Sequence, residues 1–157
     1  MKLKLSARGI SVVLALVLVG GLLLTFVVNK NSSKEDSVLG CYVAHLAQDR
    51  YTLEITSQVK SAVMANIAYE NFEKDSSKGT FVGKYTSGVL SGMYTFTSEG
   101  MNSQRELFFK RDGKDFLAGF GPVTSSGDTE KFTRPLQLTW DQSYRYVKSK
   151  DCSPSLP

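Results

Sequence analysis

The chain of 157 residues has little of what most enzyme sites require, with one histidine, one tryptophan, two cysteines and four prolines. A single histidine, His45, excludes sites built on several imidazole ligands, and no G-x-S-x-G turn is present to supply a serine nucleophile. Phosphate-binding loops, dinucleotide fingerprints and metal-spaced cysteine clusters are also missing. We therefore predict a protein that is not an enzyme and that binds no cofactor or metal. A hydrolase using His45 with Asp49, or using a pair of carboxylates, is the remaining catalytic alternative.

An excess of charge of one sign is missing from most of the chain. The net charge is +4, but three of the basic residues, Lys2, Lys4 and Arg8, stand before a long apolar run. From residue 30 onward there are 16 basic and 15 acidic residues, interspersed along the chain. A nearly neutral, mixed surface has no electrostatic footprint for nucleic acid, so we predict no nucleic-acid partner.

One hydrophobic run stands out, because residues 10–28 carry no charge over 19 positions. At about 1.5 Å per residue, a helix of this length crosses the hydrocarbon core of a bilayer. Basic residues precede the run, which by the positive-inside rule places the N-terminus in the cytoplasm. The sequence thus predicts a signal anchor, a single-pass protein of the cell membrane and an extracytoplasmic, periplasmic domain. The predicted segments are a cytoplasmic start 1–9, a transmembrane helix 10–28, a polar linker 29–37, a domain 38–152 and a disordered tail 153–157.

The two cysteines stand at the start and the end of the predicted domain. Outside the cytoplasm an even cysteine count is most simply explained by pairing, so we predict a Cys41–Cys152 disulfide. Its two Cα atoms must lie within about 7 Å, and the first and last strands should therefore be neighbours. Two alternatives stay open, namely a pair of free thiols and lipidation of Cys41 as in a bacterial lipoprotein. The spacing disfavours lipidation, since nine polar or charged residues separate the apolar run from the Val-Leu-Gly-Cys string.

Between the cysteines, apolar and polar side chains alternate with the period of half-buried β-strands. The alternating runs are centred on residues 51–55, 81–85, 90–96, 107–109 and 116–120. Turn-forming segments separate them at residues 48–50, 75–78, 87–88, 100–103, 112–113 and 124–130. Neighbouring strands joined by tight turns form antiparallel hairpins. The predicted fold class is all-β, a small antiparallel meander that closes into a roughly eight-stranded, lipocalin-like barrel.

Two segments are ambiguous. In residues 61–75 the apolar side chains fit both a helical spacing and a strand spacing. In residues 136–147 two apolar clusters flank the polar residues 141–143. This pattern predicts two further strands that are joined by a turn at 141–143.

Glycines occur inside the predicted strands, at Gly83, Gly92 and Gly119, although glycine weakens a strand interior. We expect them to bend the strands of a small barrel, so that large aromatic side chains from opposite walls can meet. The alternative is that they open room for a ligand. In that case the candidate ligand-binding residues are inward-facing aromatics and two charged residues: Phe81, Tyr85, Tyr94, Phe96, Glu99, Arg105 and Phe109.

The two charged candidates lie in a polar segment, residues 98–106, between two apolar strands. As a cross-strand ion pair, Glu99 and Arg105 would contribute about 0.2 to 1 kcal/mol to stability if exposed. Alternatively, they lie at the mouth of the barrel and anchor a small ligand or a partner, because binding sites combine an apolar wall with a few convergent polar groups.

Four strings of the sequence carry a resemblance to known proteins. They are CYVA at 41–44, FEKDSSKGTF at 72–81, YTFTSEGM at 94–101 and DC at 151–152. Together they resemble a family of uncharacterised small lipoproteins and envelope proteins found mainly in Bacteroidetes. The resemblance covers nearly the whole domain and implies that residues 63–72 form a strand. Family members are usually anchored by a lipobox cysteine near the signal sequence, and this chain differs from them in lacking that arrangement. The resemblance implies no activity and no catalytic residue.

These observations predict a membrane-anchored barrel that serves as a non-catalytic binding or interaction module of the cell envelope. Its expected partners are the membrane, through the N-terminal helix, and a small apolar ligand or an envelope protein. The alternatives are a structural or stress-related envelope protein with a packed barrel, and a hydrolase. A cavity of a few hundred cubic ångströms inside the barrel would favour ligand binding over a packed structural role.

Overall fold

The computed structural model describes residues 36–98 and 100–153, which form one sheet of ten β-strands and a short 3-10 turn at Pro135–Gln137. The predicted cytoplasmic start and transmembrane helix lie outside the described residues. Within the described part of the chain, no helix has the length and hydrophobicity needed to cross a membrane. The strands are β1 Gly40–Leu46, β2 Asp49–Val59, β3 Ala62–Glu70, β4 Ser77–Thr86, β5 Val89–Ser98, β6 Met101–Asp112, β7 Asp115–Phe120, β8 Val123–Ser126, β9 Thr129–Phe132 and β10 Thr139–Ser149.

Eight of these strands close into an antiparallel barrel, which confirms the predicted all-β, eight-stranded antiparallel architecture. Strands β1 to β7 pair in chain order, β7 pairs with β10, and β10 returns to β1. The remaining two strands, β8 and β9, form a hairpin in the connection between β7 and β10. Strand β9 lies parallel to β6 and extends the sheet beyond the ring.

The alternating pattern of the sequence places the core inside the ring. On β2, Leu53 and Ile55 are buried whereas Glu54 and Thr56 are exposed. Phe81 on β4, Leu90 on β5 and Phe116 on β7 are fully buried in the same way. Burial of these apolar side chains stabilises the fold by about 25 cal/mol for each Å² of apolar surface removed from water.

The Cys41–Cys152 disulfide is confirmed. The two Cα atoms are 5.4 Å apart, and β1 pairs with β10 as the bridge requires. Tyr42 is buried in the core, so its neighbour Cys41 lies on the outer face of β1, where the bridge ties the chain end to this strand. Arg50 strengthens this attachment by donating hydrogen bonds to the carbonyl oxygens of Cys152 (2.9 Å) and Ser153 (2.7 Å). No described cysteine is left as a free thiol, and a bridged Cys41 has no sulfur available for lipidation.

Two glycines bring β4 and β5 into unusually close contact. Gly83 and Gly92 stand opposite each other in the ladder. A Cβ atom on Gly92 would lie 2.3 Å from the carbonyl oxygen of Val82 and 2.8 Å from the ring of Phe81. The Phe81 ring therefore occupies the space that these glycines leave, as expected for curvature with aromatic packing, and no room for a ligand remains at this position.

The ambiguous residues 61–75 contain strand β3, which is the strand alternative and not the helical one. Other segments differ from the expectations. Strand β6 begins at Met101, so the turn predicted at 100–103 is shorter. The stretch 124–130, predicted to be a turn, belongs to the β8–β9 hairpin. Residues 136–147 were expected to hold two strands, but they hold the end of the 3-10 turn and most of the single strand β10.

Local hydrogen bonding explains why residues 141–143 looked like a turn. The pairing of β10 with β7 jumps from Trp140–Gly119 to Arg145–Leu117, which makes this segment an irregular bulge. Inside the bulge, the Asp141 carboxylate accepts a hydrogen bond from the backbone N–H of Ser143 at 2.8 Å. Aspartate and serine form such local bonds in turns and in bulges alike, so composition does not distinguish the two.

Residues Glu35–Pro157 form a compact unit. The closed barrel, its core and the disulfide all lie within this unit. Since a domain with its own hydrophobic core and complete strand pairing can fold independently, we expect residues 35–157 to fold when produced alone.

Candidate ligand cavity

One end of the barrel is closed by its own side chains. Val38 is fully buried there, and its carbonyl oxygen accepts a hydrogen bond from the hydroxyl of Tyr42 at 2.8 Å. The Tyr42 hydroxyl in turn accepts from Arg111 (3.1 Å) and Lys148 (3.0 Å). The ring of Phe116 packs edge-on against Tyr42 with 4.9 Å between centroids. These side chains fill the interior of the barrel at this end, near the disulfide.

The opposite end holds a cavity of about 640 Å³. It forms because β6 and β7 separate: their pairing runs only from Asp112–Asp115 to Phe109–Ala118. Beyond that point β7 continues along β10, whereas β6 pairs with β9 of the hairpin. The β8–β9 hairpin therefore forms one wall of the cavity, and the interior of the barrel forms the other.

Aromatic side chains dominate the lining. Four tyrosines and five phenylalanines contribute to it: Tyr51, Tyr69, Tyr144, Tyr146, Phe96, Phe108, Phe109, Phe120 and Phe132. The rings pack against each other at the walls, with Phe120 4.6 Å from Tyr144 and Phe108 5.7 Å from Phe132 between centroids. Mutual packing of this kind fixes the rings in place, so the cavity is preformed rather than created by rearrangement.

The cavity also contains charged groups. Arg105 donates from Nε to a carboxylate oxygen of Glu130 at 2.7 Å, and its guanidinium lies 5.8 Å from the centre of the Phe96 ring. The carboxylate of Glu106 accepts the backbone N–H of Phe132 at 3.0 Å. Asp75 contributes a third carboxylate from the loop after β3. The site thus combines a wide apolar surface with a few polar groups at its rim.

The tyrosine hydroxyls in and beside the cavity have raised pKa values. Burial, followed by the hydrogen bond to Asp49, raises the pKa of Tyr51 to about 12. Burial also raises the pKa values of Tyr69, Tyr94 and Tyr146, and Tyr69 and Tyr146 share a hydrogen bond. These phenols stay neutral and act as hydrogen-bonding groups, not as bases, at physiological pH.

The raised tyrosine pKa values predict a loss of stability in alkali. Each of these tyrosines has a higher pKa in the folded state than in the unfolded chain, where it is about 10. Their contribution to the free energy of unfolding is therefore complete below pH 10. It is lost as the pH rises above 10, by up to about 1.4 kcal/mol per pH unit for each buried phenol. Urea unfolding at pH 9 and pH 11, with absorbance at 295 nm to follow phenolate, tests this. Ionisation of all seven tyrosines near pH 10 in a chain that stays folded would contradict it.

The structure brings together three of the predicted ligand-binding residues. Phe96, Arg105 and Phe109 line the cavity. Phe81 and Tyr85 lie instead in the packed part of the core, and Tyr94 is buried behind Phe96, stacked 4.8 Å from it.

The remaining polar candidates are placed as follows. Glu99 lies outside the described residues, and the partner of Arg105 among them is Glu130 rather than a neighbour on β5. His45 is exposed on the outer face of β1. Asp49, its proposed catalytic partner, accepts hydrogen bonds from the Tyr51 hydroxyl and the Phe72 backbone N–H.

Sequence reasoning missed the residues that the hairpin contributes. Val123, Glu130 and Phe132 lie in a stretch that looked like a polar turn. It also missed the tyrosines of the far wall, although a signal was present. Tyr144 and Tyr146 alternate along β10 as Tyr51 does along β2, with each ring on the inner face.

Comparisons of the chain with models of protein families, with curated proteins and with solved structures find no match. The function must therefore be inferred from the cavity and from the residues that line it.

Proposed function

We propose that the protein is a membrane-anchored, extracytoplasmic binding protein whose barrel holds a small, largely apolar ligand. The observation that carries this proposal is the 640 Å³ cavity at one end of a barrel whose other end is plugged. Small-molecule sites typically enclose about 300 to 1,000 Å³ and combine aromatic walls with a few polar groups. An eight-stranded barrel has space for one such ligand, which is the lipocalin-like arrangement.

The location belongs to the same proposal. It is supported by the uncharged run 10–28 and by the basic residues before it, which together suit a single-pass signal anchor with the barrel on the periplasmic side. The Cys41–Cys152 disulfide gives independent support, because disulfides persist mainly in oxidising compartments. An envelope location also fits the resemblance to the Bacteroidetes envelope proteins.

The cavity favours ligand binding over the packed-barrel alternative. A barrel with a purely structural role needs no preformed opening between β6 and β7, because continued pairing would bury more apolar surface. The hydrolase alternative that uses His45 with Asp49 receives no support from the geometry, since His45 is on the outer face and Asp49 is engaged by Tyr51 and Phe72.

We expect residues 35–157 to bind the neutral fluorescent probe N-phenyl-1-naphthylamine saturably at one site. An apolar probe of this size in a preformed pocket should bind with a Kd on the order of 10 μM. Fluorescence titration with excitation at 350 nm, where tryptophan does not absorb, measures the affinity.

A matched pair of variants assigns the probe to the cavity. Leu107 lines the cavity, so Leu107→Trp should fill part of it and weaken binding at least tenfold. Leu136 is 98% exposed and is not among the lining residues, so Leu136→Trp should leave the affinity unchanged. Equal effects of the two substitutions, or no saturable binding at all, would rule out the cavity as the site.

A further inference from the structure

We propose that the natural ligand carries a positive charge and is an organic cation, such as a substituted ammonium with an apolar body. This inference rests on the proposed function and adds the chemical class of the ligand. It follows from the charges at the cavity, from the environment of one carboxylate and from the chemistry of aromatic rings.

The charged groups of the cavity are unequal in number. Among the described residues that line it, three carry carboxylates, Asp75, Glu106 and Glu130, and one carries a positive charge, Arg105. The ion pair between Arg105 and Glu130 neutralises one carboxylate. Neither Asp75 nor Glu106 has a cation within ion-pair distance in the described part of the chain. The cavity therefore carries an excess negative charge.

Of the two lining carboxylates without an ion pair, Glu106 is the less exposed and Asp75 is the more exposed. Glu106 is half-buried on β6, under the β8–β9 hairpin, where its oxygen accepts the Phe132 N–H. Phe108 follows on the same face of β6, and its ring meets that of Phe132 edge-on at 5.7 Å. A half-buried carboxylate beside two aromatic rings is a favourable environment for a cation that gives up part of its hydration shell.

Aromatic faces attract cations through their quadrupoles, most strongly where water is excluded. The cavity lining already contains one such contact. The Arg105 guanidinium lies 5.8 Å from the Phe96 ring centre. The nine aromatic side chains of the lining offer further faces to a cationic ligand.

An anionic ligand fits less well. Its natural partner would be Arg105, but Glu130 already accepts from the Nε of that side chain at 2.7 Å. An anion at Arg105 would also meet the carboxylate of Glu130 at short range, and like charges brought together in a partly buried site repel strongly.

Three probes of the same shape test the sign of the charge: benzyltrimethylammonium, neopentylbenzene and phenylmethanesulfonate. Their affinities for residues 35–157 are measured by displacement of N-phenyl-1-naphthylamine, and those of the two charged probes also by calorimetry. We expect the cation to bind at least tenfold more tightly than its neutral isostere, and the sulfonate to bind most weakly. Tightest binding of the sulfonate, or equal binding of all three, would overturn the proposal.

Glu106→Gln removes the charge but keeps an acceptor for the Phe132 N–H. It should abolish the advantage of the cation over the isostere and leave the affinity of the isostere within twofold. Glu54→Gln, an equal change at an exposed carboxylate outside the cavity, should alter neither affinity. If Glu106→Gln unfolds, the ranking of the three probes on the unmodified protein still decides.

The two proposals fail in different ways. Saturable naphthylamine binding with no preference among the probes refutes the cationic ligand and keeps the binding function. Absence of binding by the naphthylamine and by all three probes refutes both.

Discussion

Alanine in place of Gly92 is expected to lower the free energy of unfolding of residues 35–157 by about 3 kcal/mol or more. The added Cβ would lie 2.3 Å from the Val82 carbonyl oxygen and 2.5 Å from the Cα atom of Gly83. Both are backbone atoms of β4, so the strain is relieved only by separating two strands that pair over nine residues. Overpacking that cannot relax in this way is strongly destabilising. Urea denaturation followed by circular dichroism measures the change.

Gly121→Ala is the matched control. Its Cβ would come closest, at 2.8 Å, to the end of the Leu138 side chain, which can rotate away. We expect a change below about 1 kcal/mol. Equal stability of the two variants would show that β4 and β5 are not held together as closely as described.

Loss of the disulfide is expected to have the second large effect. The bridge links residues that are 111 apart in sequence, and the chain-entropy model gives about 4 to 5 kcal/mol for a loop of this length. The Cys41→Ala/Cys152→Ala variant should therefore unfold at a markedly lower urea concentration. Reduction of the unmodified protein with dithiothreitol should lower the midpoint to the same value, since both treatments release the same constraint.

An unchanged midpoint in both experiments would mean that the bridge does not constrain the unfolded chain.

The same cysteines report on the compartment. In intact cells they should react with a thiol reagent only after reduction if the domain is extracytoplasmic, because the cytoplasm keeps thiols reduced. Reaction without prior reduction would argue for a cytoplasmic domain.

The barrel could be predicted from the sequence because its strands have one buried and one exposed face. Tyr51, Leu53 and Ile55 are all buried, and their alternation with polar residues is a direct consequence of the pleat. The neighbourhood of β1 and β10 followed from the cysteines alone. Both inferences rest on constraints that act locally or through a covalent bond.

The β8–β9 hairpin escaped prediction because little of it is buried. Every residue of β8 is exposed, so no apolar alternation marks it. A strand that gains its stability from pairing at the rim of a sheet has the same composition as a turn. The bulge in β10 was missed for a related reason, since Asp141 satisfies the Ser143 N–H locally.

The candidate site was predicted in part. Phe96 and Phe109 were identified by the inward faces of two strands and Arg105 by the polar segment 98–106, and all three line the cavity. The position of the cavity was not predictable, because it depends on where the pairing of β6 with β7 ends. Beyond that point β6 pairs with β9 of the hairpin, which the sequence did not reveal. The excess negative charge of the cavity was not predictable either. Acidic and basic residues are mixed along the sequence, and only the fold places Glu106 and Glu130 in the lining of the same cavity.

Native mass spectrometry of the full-length chain, purified from the cells that make it, tests most directly whether the cavity is a binding site. We expect a species heavier than the polypeptide by a small organic molecule of a few hundred daltons, as a cavity of this volume allows. That species should be absent for Leu107→Trp and retained for Leu136→Trp. A bare polypeptide mass for the unmodified chain, or a bound species that both variants retain, would contradict the account.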